Sequence, residues 1–207
     1  MKSLTRSLLL ALALTTGAWV QAQTFEQSGA AYVRKDYRTA FAGYKKLAEQ
    51  GNAGAQFNLG QMYRSGEGVP KDEQQAVVWY RKAAEQGNAS AQFLLGFIYG
   101  KGQGVPKDEQ QAVVWYRKAA EQGDAGAQGA LGAMYYMSQG VPNDEQSAYF
   151  WWLLASAQGD QNSANMRDIV VRRLSPAQRA AAQASARNWK PKTAAQSSNV
   201  PGGSRLH

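Results

Sequence analysis

Few residues in this chain can carry nucleophilic, acid–base or metal chemistry, and their placement points away from catalysis. The only histidine is His207, at the C-terminal position, and there is no cysteine. With one imidazole and no thiol there is no Cys-His or Ser-His-Asp nucleophile, and no imidazole or thiolate cage for a metal. Asp72-Glu73 and Asp108-Glu109 are paired carboxylates of the kind that acid–base chemistry uses. Each pair also opens a helical stretch, where negative charge meets the positive end of the helix dipole, so both are read as helix starts. The glycine pairs Gly66/Gly68 and Gly102/Gly104 fall between helices rather than after a strand, which removes the phosphate-loop and dinucleotide fingerprints. The inventory predicts a non-enzymatic protein with no catalytic residue, no cofactor and no metal.

What the chain does contain is repetition. VPKDEQQAVVWYRKAAEQG runs from Val69 to Gly87 and returns letter for letter from Val105 to Gly123, then in altered form from Val141 to Gly159. Gly51, Gly87, Gly123 and Gly159 are each 36 residues apart, the mark of a stacked repeat array. Each copy divides into two helices. Helix A follows an Asn or Asp N-cap (Asn52, Asn88, Asp124) and carries Ala55, Gln56, Leu59, Gly60 and Tyr63. A glycine-rich connection ending in Val-Pro leads to helix B, opened by Asp72-Glu73-Gln74-Gln75 as a variant of the capping box and closed at Gly87. A lone pair cannot bury its apolar face, so the pairs must stack, with Trp79, Leu59 and Tyr63 filling the space between them.

The predicted organisation is a signal peptide over residues 1–22 and a short helical pair over 23–51. Three repeats follow over 52–87, 88–123 and 124–159, then capping helices over 160–190 and a disordered tail over 191–207. Lys2, Arg6, the apolar run Leu8–Leu14 and the small residues before Gln23 carry the signal-peptide reading. The apolar run is too short for a transmembrane span, and no later segment is apolar enough for one. Ser175-Pro176-Ala177-Gln178 supplies an N-cap, a proline at the first helical position and a capping-box partner for the last helix. A soluble periplasmic or secreted product is predicted.

The repeats are electrically balanced, with 13 basic and 13 acidic residues over 23–159, whereas 160–207 holds 8 against 2. An extended basic groove for nucleic acid is therefore not expected in the array. A second candidate surface is the basic end: Arg167, Arg172, Arg173, Arg179, Arg187, Lys190 and Lys192. It suits an anionic envelope surface, a polysaccharide or an acidic protein.

The recurring Ala-Gln, Leu-Gly, Tyr, Gly-x-Gly-Val, Asp, Ala, Trp-Tyr and Ala-Ala-Glu-Gln-Gly positions resemble the Sel1-like repeat family, relatives of the tetratricopeptide repeats with a longer connection inside each pair. The resemblance covers residues 25–159. It implies an all-α fold, a right-handed α-solenoid of helix-turn-helix pairs with a C-terminal capping pair, serving as a scaffold for protein complexes and in bacteria often periplasmic. Some cysteine-rich relatives are reported to bind or hydrolyse β-lactams. This chain has neither their paired cysteines nor a Ser-x-x-Lys, so a cell-wall hydrolase is only a third reading.

Comparing copies within the chain separates framework from face. The copies beginning at Asn52 and Asn88 differ at seven of 36 positions, and four of those (54, 58, 61, 65) form one stripe on helix A. If helix A lines the concave side, as in tetratricopeptide-like solenoids, that face presents Asn58, Gln61, Arg64 and Ser65. The next repeat adds Leu94, Phe97 and Lys101, and the third adds Ala130, Ala133, Tyr136 and Met137. An apolar centre with scattered polar positions suits a partner's peptide or helix. The leading expectation is a periplasmic adaptor that holds a protein through this face. The basic C-terminal helices are the alternative.

Overall fold

The computed structural model describes residues 24–193, so the expected signal peptide and most of the expected tail, with His207, lie outside the described residues. All regular structure among the described residues is helical. The first helix, α1, covers 24–33. It is followed by α2 (Tyr37–Glu49), α3 (Ala53–Ser65), α4 (Glu73–Glu85), α5 (Ala89–Lys101), α6 (Glu109–Glu121), α7 (Ala125–Met137), α8 (Glu145–Ala157), α9 (Gln161–Val170) and α10 (Pro176–Asn188). A single 3₁₀ turn, Val171–Arg173, separates the last two. The class is the predicted all-α array, with α3/α4, α5/α6 and α7/α8 as the helix A/helix B pairs of the 36-residue period. Two compact units divide after Trp79.

Local chemistry sets the helix boundaries. At the start of each helix A, the N–H of Ala55, Ala91, Ala127 or Ser163 donates to the side-chain oxygen of Asn52, Asn88, Asp124 or Asp160, at 2.8, 2.9, 2.7 and 2.6 Å. At each helix B, the N–H of Gln75, Gln111 or Ser147 donates to Asp72, Asp108 or Asp144 at 2.9–3.0 Å. The suspected carboxylate pairs are thus built around caps, each worth about 1 kcal/mol. Both halves of a capping box close between Ser175 and Gln178. At the other end, Gly51, Gly87, Gly123 and Gly159 hold φ of 89–99°, the left-handed region that a side chain would penalise.

In the first unit, Ala40, Tyr44, Leu47, Leu59 and Met62 form a buried cluster, with Phe25, Phe41, Tyr63 and Trp79 packed around it. In the second, the small residues of helix A let helix B come close. A Cβ on Gly96 would lie 2.6 Å from the Tyr116 ring, and one on Gly132 would lie 2.6 Å from the Trp152 indole. Buried glutamines stitch the layers. Gln92 Nε2 donates to Ala84 O (2.9 Å) while Gln122 Nε2 donates to Gln92 Oε1 (2.7 Å), and Gln128 repeats the arrangement with Ala120 (3.1 Å) and Gln158 (2.9 Å). In the first unit, Gln56 donates to Ala48 O (3.1 Å). This bonding accounts for the Ala-Gln dipeptide of α3, α5 and α7: the buried amide gives a second donor to a helix-end carbonyl that already accepts from the N–H of Gly51, Gly87 or Gly123.

After α8, Val170, Leu174 and Ala182 pack onto Ala148, Tyr149 and Trp152, so α9 and α10 cover the last pair. The stretch expected to be disordered from Pro191 is held at its beginning. Lys192 N–H donates to Glu121 O (2.8 Å) and its Nζ pairs with Glu121 Oε2 (2.9 Å). No helix among the described residues is long and apolar enough to cross a membrane.

Candidate functional site

In the second unit, helix A of each layer lies beside the next, and two clefts form along that face. One, of about 450 Å³, lies between α7 and α9 and is lined by Gly126, Gly129, Ala130, Ala133, Tyr136, Met137, Trp152, Asp160, Asn162, Ser163 and Met166. The other, of about 250 Å³, lies between α5 and α7 and includes Phe97, Lys101, Ala130 and Ala133. Ala130 and Ala133 border both, so α5, α7 and α9 share one grooved face. Of the residues singled out from sequence, Phe97, Lys101, Ala130, Ala133, Tyr136 and Met137 come together here. Leu94 is half-buried on α5 outside the residues lining either cleft.

The corresponding residues of α3 lie in the first unit and have local tasks. Asn58 hydrogen-bonds the Tyr44 side chain. Ser65 Oγ donates to Glu67 Oε2 (2.8 Å), and Tyr32 OH donates to the same oxygen (2.7 Å). Those two bonds hold the Glu67 carboxyl below its usual range, and Glu67 in turn pushes the Tyr32 phenol up to about 12. This network fastens the loop after α3 to α1. Gln61 and Arg64 are half-buried on the same helix.

The basic end is less of a free patch than its composition implies. Arg167 pairs with Asp168 (2.8 Å) and donates to Ser156 Oγ (3.1 Å). Arg179 Nε donates to Leu174 O (2.9 Å), capping the turn before α10. Arg173 Nε pairs with Glu145 Oε1 (2.8 Å), while its Nη1 donates to Tyr136 OH (3.1 Å) with the guanidinium 5.7 Å from the ring centre. Arg172, Arg187 and Lys190 are exposed. Arg173 therefore belongs to the rim of the α7/α9 cleft, and the two surfaces that sequence treated as separate meet at Tyr136.

The reading of α9 solely as a cap hid half of this site. Asp160 falls 36 residues after Asp124, so the helix A register continues into α9 and brings Asp160, Asn162, Ser163 and Met166 opposite α7. That N-cap spacing is the signal that could have found them. Among the described residues no group of His, Cys, Asp or Glu is placed to hold a metal.

Helix pairs repeating every 36 residues, capped and stitched alike, define an α-solenoid repeat protein. The profile of the Sel1 repeat matches residues 25–52, 53–88, 89–124 and 125–160, and the chain belongs to the Sel1 repeat family. Such repeats generally mediate protein–protein interaction. The chain is similar to the crystal structure of a Sel1 repeat protein from Oxalobacter formigenes, with 41% identity, TM-score 0.59, and coverage of 61% of this chain and 52% of that one. It is also similar to a protective antigen present in uropathogenic Escherichia coli strains that displays an SLR fold, with 37% identity, TM-score 0.67, and coverage of 82% and 38%. The chain thus spans between about a third and a half of the length of these solved relatives. No curated protein matches it.

Proposed function

We propose that this protein is a non-enzymatic scaffold of the bacterial periplasm that holds a protein partner on the helix A face of its repeats. The observation that carries this reading is the grooved face across α5, α7 and α9, where apolar and small residues lie open between helices whose other faces are packed. Contiguous exposed apolar surface is costly unless something covers it. Met137, at 54% exposure, stands at its edge. Residues 1–22 supply the export signal in this reading, and N-terminal sequencing of the mature protein should begin at Gln23.

The direct test is proximity labelling in the periplasm with wild type and a Leu94→Ala/Phe97→Asp variant of unchanged helicity. Loss of a specific labelled protein from the variant is expected. Identical labelling would sink the groove as the binding face. Binding through the basic end to an anionic envelope surface or polysaccharide is the second reading, favoured by the exposure of Arg172 and Arg187, which have no ion pair among the described residues. Binding to anionic vesicles that survives replacement of Arg172 and Arg187 by Gln would count against it.

A further inference from the structure

Resting on that reading of the helix A face, we propose that the α7/α9 cleft is a pocket for one aromatic side chain of the partner, presented next to an acidic residue. The argument comes from how the chain fills the same place elsewhere. Where α1 meets α3, the Phe25 ring lies 3.3 Å from where a Cβ on Gly54 would be. Where α5 meets α7, the Phe93 ring lies 3.2 Å from where a Cβ on Gly126 would be. In both places an aromatic ring from one layer covers the start of the next layer's helix. The position 36 residues after Phe93 is Gly129, and the truncation extends along the helix, with Ala130 at the place of Leu94 and Ala133 at the place of Phe97.

Compensation is partial and comes from both helices: two turns further along helix A, Tyr136 stands where the preceding repeat has Gly100. Trp152 replaces the smaller Tyr116, its Nε1 donating to Gly129 O (3.1 Å) and its ring lying 5.6 Å from that of Tyr136. The cleft of about 450 Å³ remains, walled by Trp152, Tyr136 and Met166. The occupant it fits is the one the chain uses at its own equivalent junctions, an aromatic ring. Such a ring would lie against Tyr136 and Met166 beside the buried Trp152, and full burial of a ring removes about 150–250 Å² of its surface from water.

Charge specifies what flanks the ring. At the end of the face where α5 and α7 finish, Lys101 is exposed and without an ion pair among the described residues. Arg173 holds its guanidinium at Tyr136 with the side chain 58% exposed despite its pairing with Glu145. Asp160, which lines the cleft at the start of α9, has its carboxylate engaged by the Ser163 N–H (2.6 Å), so a carboxylate beside the aromatic residue complements Arg173 and, across the adjoining α5/α7 cleft, Lys101.

The test uses a random peptide library displayed on phage and panned on the whole mature protein, followed by binding measurements on the enriched peptides as synthetic products. Enrichment of Phe, Tyr or Trp at one fixed position with a neighbouring Asp or Glu is expected. Replacing that aromatic by Ala should weaken binding at least about tenfold, and so should Ala133→Phe in the protein, which restores the residue of the preceding repeat and fills the cleft from within. Ala130→Leu, restoring the other truncated residue, is the second variant should Ala133→Phe fail the circular-dichroism check of folding. Peptides lost on Leu94→Ala/Phe97→Asp but indifferent to both cleft-filling variants would overturn the pocket while leaving the groove. Binding indifferent to all three variants, or no enriched motif, would overturn the pocket and count against the groove as well.

Discussion

Arg173 reaches from the 3₁₀ turn after α9 to Tyr136 on α7, donating to its hydroxyl at 3.1 Å while its Nε pairs with Glu145 at 2.8 Å. One side chain thereby links the last helix A, the last helix B and the turn that leads to α10. Both ion-pair and ring contacts of this kind are modest when exposed, about 0.2–1 kcal/mol each. Arg173→Gln is expected to lower stability by about 1 kcal/mol or less in urea unfolding, with the loss shrinking at high salt. A cost of several kcal/mol would show that Arg173 is a structural keystone rather than a rim residue.

Gln92 sits at the centre of a buried relay, donating to Ala84 O and accepting from Gln122. Gln92→Leu keeps the bulk but removes both bonds, leaving the Ala84 carbonyl with only its Gly87 N–H donor and the Gln122 amide without its acceptor, which costs about 1–3 kcal/mol. Thermal unfolding should report it, and Gln92→Glu should not rescue it, because a carboxylate cannot donate to the Ala84 carbonyl. An unchanged midpoint for Gln92→Leu would mean that the relay does not contribute.

Ser138 occupies the left-handed conformation at φ 58° where the two preceding repeats use Gly66 and Gly102. The strain of a side chain there outweighs the extra freedom a glycine loses on folding. Ser138→Gly is therefore expected to stabilise by about 0.5–1 kcal/mol. A destabilised variant would mean that the serine side chain makes a compensating contribution.

Burial pushes the Tyr116 phenol up to about 12. Tyrosines of the unfolded chain ionise near pH 10, roughly. The folded state therefore keeps a proton that the unfolded state loses, so the contribution of Tyr116 is whole below about pH 10 and declines as pH rises toward about 12. Ultraviolet titration should show a late-ionising class of tyrosines, reduced in amplitude by Tyr116→Phe. A late class of unchanged size would place Tyr116 among the ordinary phenols.

How much of this was legible beforehand follows from the range of each interaction. The Asp and Asn caps, the glycine stops, the proline at the start of α10 and the pair-by-pair division act within four residues, and all of them can be read from spacing. The buried role of the Ala-Gln dipeptide was not readable. It depends on a carbonyl eight residues back and on an amide 30 residues on, brought together only when the pairs stack. Composition also overstated the basic end: Asp168 pairs with the adjacent Arg167, while Glu145 and Glu121 reach Arg173 and Lys192 only through the packing of distant segments.

By itself the sequence determined that this is an all-α repeat array with a 36-residue period, because a repeated local code for starting, stopping and packing helices leaves no other consistent arrangement. Tertiary structure decided that α9 takes the place of another helix A opposite α7. It also decided that the missing ring at Gly129 leaves a cleft rather than a collapsed junction, and that Arg173 closes the rim of that cleft. The physical reason is that a cleft is defined by what fails to fill it, which depends on how far Trp152 reaches and how closely α7 and α9 approach.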